Sequence, residues 1–411
     1  MSCPSWLVIG PSEADMQPRS VIPWYSVLVL GNWLLVSANN QSPVTSRVAD
    51  LAVRAARVLD VKTGRYSGPT VLLVTGTRIT GMIPATQFDA KIASRAIDLG
   101  DMTVVPGYID AHVHLAIGGP FRANAIADLR AGFTTVADQG ALTTRLLTLK
   151  DSVNAGHIEG PRVLAAGIWV GSKGGVCEFT GIGIAGGADG FVHRVQQNVA
   201  AGANLTKVCL SPWPAASYAA PDTVEIPRDV LRAIVDASHA ADRPVTAHAI
   251  SRGAARAALD GGVDGIVHAA YVDPALATAM RVKGMWMIPT IASLTAQDTS
   301  VVSRALISAV GVAHKAGVTI VFGTDGGVLP HGRGVDEMEA LVAAGLSPLE
   351  VIQAATINAA KALVLADSVG QIGVGMSADF VGVRGDPLRD VAALRNVGLV
   401  VSRGRVAVGP P

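Results

Sequence analysis

The chain has 411 residues, a formal net charge of +1, 50% hydrophobic residues and only 16% charged residues. This length allows one large hydrophobic core with a smaller domain beside it. The near-zero charge gives no reason to expect nucleic acid or a charged membrane surface as a partner, and the composition argues against a coiled coil or a disordered chain. We expect a small-molecule partner, and a homo-oligomer is compatible with the sequence.

The first 45 residues are interpreted as an N-terminal arm or a signal segment. Residues 21–38 are mostly apolar and end in small residues that resemble a signal-peptidase site. Translation from Met16 would make residues 16–38 a short signal peptide, and export would follow. Pro23 and Asn32 interrupt the apolar run, and a membrane span needs about 20 apolar residues. We therefore expect a cytoplasmic protein without a membrane anchor, with export as the alternative.

The three cysteines, Cys3, Cys177 and Cys209, are too few and too scattered for a disulfide framework. No Cys-x-x-Cys motif is present. We interpret all three as free thiols, which usually act as small buried apolar side chains.

Both ends of the globular part are rich in short strands. Apolar or alternating runs separated by turn residues are typical of strands, and they occur in residues 51–59, 70–75, 378–383 and 399–406. We predict that residues 46–104 and 367–411 together form one small, discontinuous β-sandwich domain.

Residues 105–366 alternate between short apolar runs and helical patterns, as in 228–241 and 303–316. The candidate strands are residues 108–115, 134–138, 162–166, 205–210, 244–249, 265–269, 286–290 and 319–324. Continuous apolar strands joined by helices predict a parallel sheet covered by helices, and eight units predict an α/β fold of the (β/α)8 TIM-barrel type. A doubly wound open sheet is the alternative, weakened by the absence of G-x-G-x-x-G after the first strand.

Four histidines lie at the ends of proposed strands: His112, His114, His248 and His268. The C-terminal strand ends form the active-site face of such a barrel. Residues two apart on a strand point to the same side, so the first pair can bind one metal ion. Alone, His-x-His could equally be two hydrogen-bonded polar residues.

Lys207 lies inside the fourth candidate strand, and Asp325 directly follows the eighth. A buried lysine is costly unless it is neutral or paired, although a long side chain can also reach the rim. A desolvated lysine has a lowered pKa, and its neutral amine can react with carbon dioxide. The resulting carbamate is a carboxylate-like ligand that could bridge two ions.

At this point the sequence resembles the amidohydrolase superfamily, specifically its members with a carboxylated lysine, which are prolidase-like and imidazolonepropionase-like. The resemblance covers roughly residues 50–411. Its motifs are Val105-Pro-Gly-Tyr-Ile-Asp-Ala-His-Val-His114, Lys207, Ala247-His-Ala249, Ile266-Val-His268, Gly323-Thr-Asp-Gly-Gly327, His331-Gly-Arg333 and the Gly370–Phe380 segment. Each motif alone is unspecific, whereas the set is highly specific.

The resemblance implies two divalent metal ions, with zinc expected. His112, His114 and Asp325 would hold the first ion, His248 and His268 the second, and carboxylated Lys207 would bridge them. A hydroxide between the ions would be the nucleophile, because metal lowers the pKa of bound water. Asp325 would act as general base and then as general acid.

Two positions depart from the family pattern. Many prolidase-like relatives have a histidine after the third strand, where this chain has Ser172-Lys-Gly-Gly175, and a tyrosine where it has Ile250. These departures put the substrate and the source of oxyanion stabilisation in doubt. Lys173 and His331 are candidate substrate contacts, although a solvated charge and a loop-structuring histidine are the plainer interpretations.

We therefore predict a metal-dependent hydrolase that cleaves an amide or peptide-like C–N bond of a small molecule, such as a dipeptide or an N-acyl amino acid. A lactonase or phosphotriesterase could use the same paired ions. The superfamily's deaminases usually lack the bridging lysine. A catalytically silent interaction scaffold is a further alternative, but such proteins typically lose metal ligands, and all six candidates are present here.

Overall fold

The computed structural model describes residues 48–179, 181–296 and 300–409. The strands are β1 (Leu51–Ala55), β2 (Arg57–Asp60), β3 (Arg65–Tyr66), β4 (Thr70–Thr75), β5 (Arg78–Pro84), β6 (Ala96–Asp98), β7 (Thr103–Pro106), β8 (Tyr108–Val113), β9 (Phe133–Asp138), β10 (Arg162–Ala165), β11 (Thr206–Cys209), β12 (Val245–His248), β13 (Gly265–Val267), β14 (Trp286–Ile288), β15 (Phe380–Val383), β16 (Val397–Ser402) and β17 (Arg405–Val408). The N-terminal arm proposed for residues 1–45, including the candidate signal peptide, lies outside the described residues.

The helices alternate with the middle strands. They are α1 (Phe121–Arg130), α2 (Arg145–Asn154), α3 (Ala188–Ala200), α4 (Pro214–Ala219), α5 (Arg228–His239), α6 (Arg252–Gly261), α7 (Pro274–Lys283), α8 (Ile291–Ala296), α9 (Ser300–Lys315), α10 (Gly334–Ala343), α11 (Pro348–Gln353) and α12 (Ala359–Ala362). A π-helical turn, Ala354–Asn358, joins the last two. Across the residues that the structure describes, no helix is both long and apolar enough to cross a membrane.

The middle strands form two parallel sheets, one of β8, β9 and β10 and one of β11 to β14, each in sequence order. Every residue of β8, β9, β11 and β12 is buried. Burial of both faces is typical of parallel strands covered by helices, which explains their continuous apolar sequences. The first seven predicted strands are confirmed, with shifts of one or two residues at their ends.

Isolated parallel bridges connect the two sheets, one of them directly and two through the segment that follows α9. Val170 bridges to Val208, Met287 to Ile320, and Val113 to Gly326. The fold is therefore TIM-barrel-like, but its strands do not form one continuous closed ladder.

The eighth strand predicted at residues 319–324 is only partly formed, because the segment pairs with β14 through the single bridge of Ile320 to Met287 instead of a continuous ladder. Toward β14, Val321 N–H donates to the Met287 carbonyl and Met287 N–H donates to the Thr319 carbonyl. Two other donors of the segment leave the ladder: Phe322 N–H donates to the carbonyl of Ala354, and Thr324 N–H donates to the Asp110 side chain. Asp325 then adopts a left-handed φ of 58°, which turns the chain out of the strand direction. The segment is held beside β8 by Asp325 N–H donating to the His112 carbonyl at 2.8 Å.

The helices cover the sheets with apolar faces. In α5, the buried residues Val230, Leu231, Ile234 and Val235 follow helical spacing, as an amphipathic helix requires. α6 and α7 begin at capping side chains, Ser251 and Asp273, whose oxygens accept backbone N–H groups of the first turn.

Strands from both ends of the described chain pair with each other. β15 lies antiparallel to β7 in a six-stranded sheet of order β17-β16-β15-β7-β2-β3, and a second sheet has the order β5-β4-β1-β6. The single strand predicted for residues 51–59 is two strands in different sheets, since β1 pairs with β4 and β6 whereas β2 pairs with β3 and β7. The run 399–406 is likewise a hairpin, turned by Arg403 and Gly404 at positive φ.

Candidate metal centre

Six predicted site residues line one cavity of about 70 Å³. They are the four strand-end histidines, His112, His114, His248 and His268, together with Lys207 and Asp325. The exposed fraction of each is between 1% and 8%. The structure therefore brings together, at the C-terminal ends of the parallel strands, residues that are up to 213 positions apart (His112 to Asp325).

The two histidines of the β8 motif and Asp325 form a compact triangle. His112 Nε2 lies 3.3 Å from His114 Nε2, and each of these nitrogens lies 3.3 Å from Asp325 Oδ1. The centre of a triangle with these edges is about 1.9 Å from each corner, close to the 2.0–2.2 Å of Zn–N and Zn–O bonds. This donor set fits a divalent ion.

The other two histidines adjoin this triangle. The ring centroids of His248 and His268 are 4.7 Å apart, and that of His268 is 5.5 Å from the ring of His112. His268 Nδ1 lies 2.6 Å from the hydroxyl of Thr290, which leaves its Nε2 to face the cavity. His268 also has a left-handed φ of 70°, a conformation that is costly for a non-glycine residue and is concentrated at functional sites.

Buried polar atoms without partners mark the same place. Several buried side-chain atoms of the described residues have no hydrogen-bond partner, and three of them belong to residues of this cavity: His112 Nδ1, Lys207 Nζ and His248 Nε2. Leaving such groups unsatisfied costs about 1–3 kcal/mol each, so a native protein usually provides a partner. A cation beside His248, and a carboxylated amine at Lys207 that binds a cation, would meet this requirement.

Neighbouring carboxylates position the β8 histidines. Asp110 accepts hydrogen bonds from the backbone N–H of His112 and from the N–H and hydroxyl of Thr324, joining the first strand to the last segment. Asp138 accepts the N–H groups of Leu115 and Gly140. The Gly140 carbonyl lies 3.2 Å from His114 Nδ1, so it orients the ring with Nε2 toward Asp325.

The protonation states in the cavity suit metal binding. Burial, reinforced by the charge of Lys207, lowers the pKa of His112 and of His248 to about 3. Burial alone would raise the pKa of Asp325, but hydrogen bonds and charge from His112 and His114 hold it well below its usual range. Neutral imidazole and ionised carboxylate are the forms that bind metal.

The side chain of Lys207 does not reach solvent at the rim, because the residue is only 3% exposed. Burial lowers the pKa of its amine to about 7, although the charge of Asp325 opposes this shift. A substantial neutral fraction at physiological pH is what reaction with carbon dioxide requires.

The two candidate substrate contacts do not line this cavity. Lys173 is exposed in the loop after β10. The ring of His331 is buried, with Nδ1 2.8 Å from Asp128 Oδ2 and Nε2 3.3 Å from the His114 carbonyl. Burial lowers the pKa of His331, but the Asp128 carboxylate outweighs this and raises it. His331 therefore contacts the backbone of the metal motif in this structure, and the roles of both residues toward substrate stay predictions.

The prediction of three free thiols is wrong, because Cys177 and Cys209 form a disulfide. They are 32 residues apart in sequence, on a loop and on β11 respectively, so their spacing carried no signal. Only the fold brings their Cα atoms to 6.2 Å.

Aromatic rings surround the cavity, and sequence reasoning missed them. Trp169 lies 5.6 Å from the ring of His114 and 5.1 Å from Phe179. Phe179 lies 6.4 Å from Trp213, whose ring is 6.1 Å from His248. These three residues, Trp169, Phe179 and Trp213, are called the aromatic arc below. The sequence carries no signal for these rings, because they lie in loops, where no hydrophobic periodicity marks a functional position.

Comparison with known proteins identifies the family. The model of the Amidohydrolase family matches residues 103–407, so the chain belongs to the amidohydrolase family, a class of metal-dependent hydrolases. The predicted resemblance is confirmed.

Solved structures agree with this assignment. A Xaa-Pro dipeptidase with methionine bound in its active site aligns with a TM-score of 0.81 and 25% identity, over 87% of this chain and 100% of that one. A prolidase complexed with N-methylphosphonate-L-proline aligns with a TM-score of 0.78 and 27% identity, over 88% and 100%.

Among curated proteins, ochratoxinase of Aspergillus niger is 28% identical over 246 residues, which are 55% of this chain. The match spans about half of that protein's length, 51%. Its crystal structure aligns with a TM-score of 0.79 at 21% identity, over 88% of this chain and 96% of that one, which shows a common fold.

Proposed function

We propose that this protein is a binuclear metal-dependent amidohydrolase that cleaves the C–N bond of a small amide, of the dipeptide or N-acyl amino acid type. The observation that carries the proposal is the convergence of six buried residues with metal-binding chemistry in one cavity of a chain from this family. The dipeptidase and prolidase among its structural relatives support an amide or peptide substrate.

We assign the first ion to His112, His114 and Asp325, whose ligand atoms already form a triangle. The second ion is assigned to His248 and His268. Lys207, carboxylated by carbon dioxide, would bridge the two ions and complete both sets. Zinc is the proposed metal because imidazole and carboxylate ligands suit it.

When bound, the ions would lower the pKa of a water molecule toward neutrality and polarise the amide carbonyl. Asp325, ionised and held between His112 and His114, can accept the proton of the attacking water. The same carboxyl can then protonate the leaving nitrogen as the C–N bond breaks. The amide and one water thus give a carboxylic acid and an amine.

The finer architecture that fits this proposal is a closed eight-stranded barrel of residues 105–366. A β-sandwich domain from residues 46–104 and 367–411 would accompany it. The bridges of Val113, Val170 and Met287 to the next strand or segment support closure.

The Cys177–Cys209 disulfide favours export over the cytoplasm, because disulfides persist in oxidising compartments.

The test is metal content and a substrate screen on the purified protein. Zinc-loaded protein is expected to contain about two ions per chain and to hydrolyse N-acyl amino acids or dipeptides. Lactones and phosphotriesters belong in the same screen, because preference for either would replace amide hydrolysis with the alternative activity. A protein that binds no metal and cleaves none of these compounds would instead be an interaction scaffold.

A further inference from the structure

The cavity lined by the six candidate ligands, called the metal cavity here, can hold only the reacting part of a substrate. Its volume is about 70 Å³, whereas a cavity of about 150 Å³ is needed to hold a benzene ring. The remainder of any drug-sized or peptide-sized substrate must therefore lie outside it. The shape of the neighbouring space then decides which amides can bind.

A second cavity of about 480 Å³ adjoins the first. Both cavities are lined by Ile117, Trp169 and Phe179, so they share part of their walls. Trp169 is the central element of this wall, with its ring near His114 on one side and Phe179 on the other. Gly140 allows this placement, because a Cβ there would lie 2.3 Å from Trp169 Nε1.

The walls of the second cavity are largely apolar. The loop before α2 and the helix itself contribute Leu142, Leu146 and Leu149, opposite Trp169 and Phe179. Arg145 is the one charged side chain among the described residues that line it, and it is exposed. Pockets of this size and character are the usual sites for apolar parts of small ligands.

We propose that this cavity, called the leucine pocket here, binds a bulky apolar group of the substrate, aromatic or branched alkyl, attached to the scissile amide. The inference rests on the proposed amide hydrolysis and specifies its substrate class. The amide lies in the metal cavity, and its apolar substituent passes Trp169 into the leucine pocket. The attachment can be on the acyl or the amine side, and the experiment distinguishes the two.

The test compares three amides on the zinc-loaded enzyme: N-acetylglycine, N-(4-phenylbutanoyl)glycine and N-acetylphenylalanine. Burial of each methylene equivalent is worth about fourfold in binding. We therefore expect kcat/KM for at least one bulky amide to exceed that for N-acetylglycine by about 100-fold or more. A higher kcat/KM for N-(4-phenylbutanoyl)glycine would place the apolar group on the acyl side of the amide. A higher kcat/KM for N-acetylphenylalanine would place it on the amine side. Equal kcat/KM for all three amides would overturn the proposal.

Two variants place a charge in the leucine pocket, and a matched control places it outside. Leu149→Asp and Leu142→Asp change lining residues, and Leu142 is 44% exposed, so the second change should not disturb folding. Thr148→Asp on the exposed face of α2 is the control. We expect the ratio of kcat/KM for the preferred bulky amide to kcat/KM for N-acetylglycine to fall at least tenfold in both pocket variants and to keep the parent value in Thr148→Asp. An unchanged preference in Leu142→Asp would contradict the pocket assignment.

Binding measurements keep this inference separate from the catalytic proposal. If no amide is hydrolysed, the proposed function fails, but calorimetry with 2-naphthylacetamide still tests the pocket. The parent and Thr148→Asp should bind this probe at least tenfold more tightly than Leu142→Asp does. Equal affinity in all three proteins, or no binding to the parent, would refute the leucine pocket itself.

Discussion

Cys177 is bonded to Cys209, which lies two residues after Lys207 on β11. Alternate residues of a strand share a face, so the disulfide lies on the same side of the strand as the buried lysine. It attaches the loop that carries Phe179 directly to the strand that carries Lys207. The disulfide therefore fixes the position of Phe179 relative to the cavity that Lys207 lines.

Removal of this disulfide should destabilise the protein. For a loop of this length, chain entropy accounts for about 3–4 kcal/mol of unfolding free energy. We expect the double variant Cys177→Ser/Cys209→Ser to lose stability of that order in urea unfolding at constant zinc. Cys3→Ser is the control and should leave the unfolding free energy unchanged. The full 411-residue chain, denatured without reductant, should titrate with one thiol, that of Cys3, whereas three thiols would contradict the disulfide.

Lys207→Ala should remove metal and activity together. If the carboxylated lysine bridges both ions, its loss leaves two incomplete ligand sets. Zinc content measured after dialysis should fall well below two per chain, and kcat should fall with it. Acetate or propionate should restore part of the activity by filling the vacated space. A variant that kept two ions and a near-normal rate would show that Lys207 is no ligand.

The sequence predicted the strands of the two parallel sheets because buried parallel strands are continuous apolar runs between helices. It could not predict that the ladder of residues 319–324 is incomplete, because this depends on Phe322 N–H donating to the Ala354 carbonyl. The convergence of the six candidate ligands in one cavity was predictable because the C-terminal ends of parallel strands lie on one face of such a fold. The disulfide and the aromatic arc were not, since loops such as the one carrying Phe179 have no periodicity that fixes their position.

Glu337 should make stability depend on pH. Its side chain is fully buried on α10, one oxygen accepts the N–H of Ala292, and burial raises its pKa to about 8. From pH 4.5 to 8 the unfolded state loses this proton while the folded state keeps it, so stability falls as pH rises through this window. Glu337→Gln removes the effect and keeps an oxygen for Ala292.

The measurement is urea unfolding of parent and Glu337→Gln at pH 5 and pH 8. The stability of the variant relative to the parent should increase by roughly 2 kcal/mol or more between these pH values, since each unit of pKa shift corresponds to about 1.4 kcal/mol. Glu339→Gln is the matched control on the same helix, because Glu339 is partly exposed and paired with Arg395. A stability difference that stays constant with pH would mean that Glu337 is ionised in the folded protein.

Asp325→Asn separates metal binding from proton transfer. The amide keeps the size of the side chain and an oxygen that can face His112 and His114, but it loses the basic carboxylate. We expect part of the zinc to remain, while kcat falls by at least the 10²–10⁴-fold typical of general acid–base catalysis. Zinc content and kcat are measured on the same preparations. A proportional loss of both would mean that Asp325 acts only as a metal ligand and not in proton transfer. His112→Ala provides that pattern for comparison, since it removes a proposed ligand to which no proton transfer is assigned. If Asp325→Asn were nearly as active as the parent, another group would have to move the proton, and His331, whose Nε2 lies 3.3 Å from the His114 carbonyl, would be the next residue to replace.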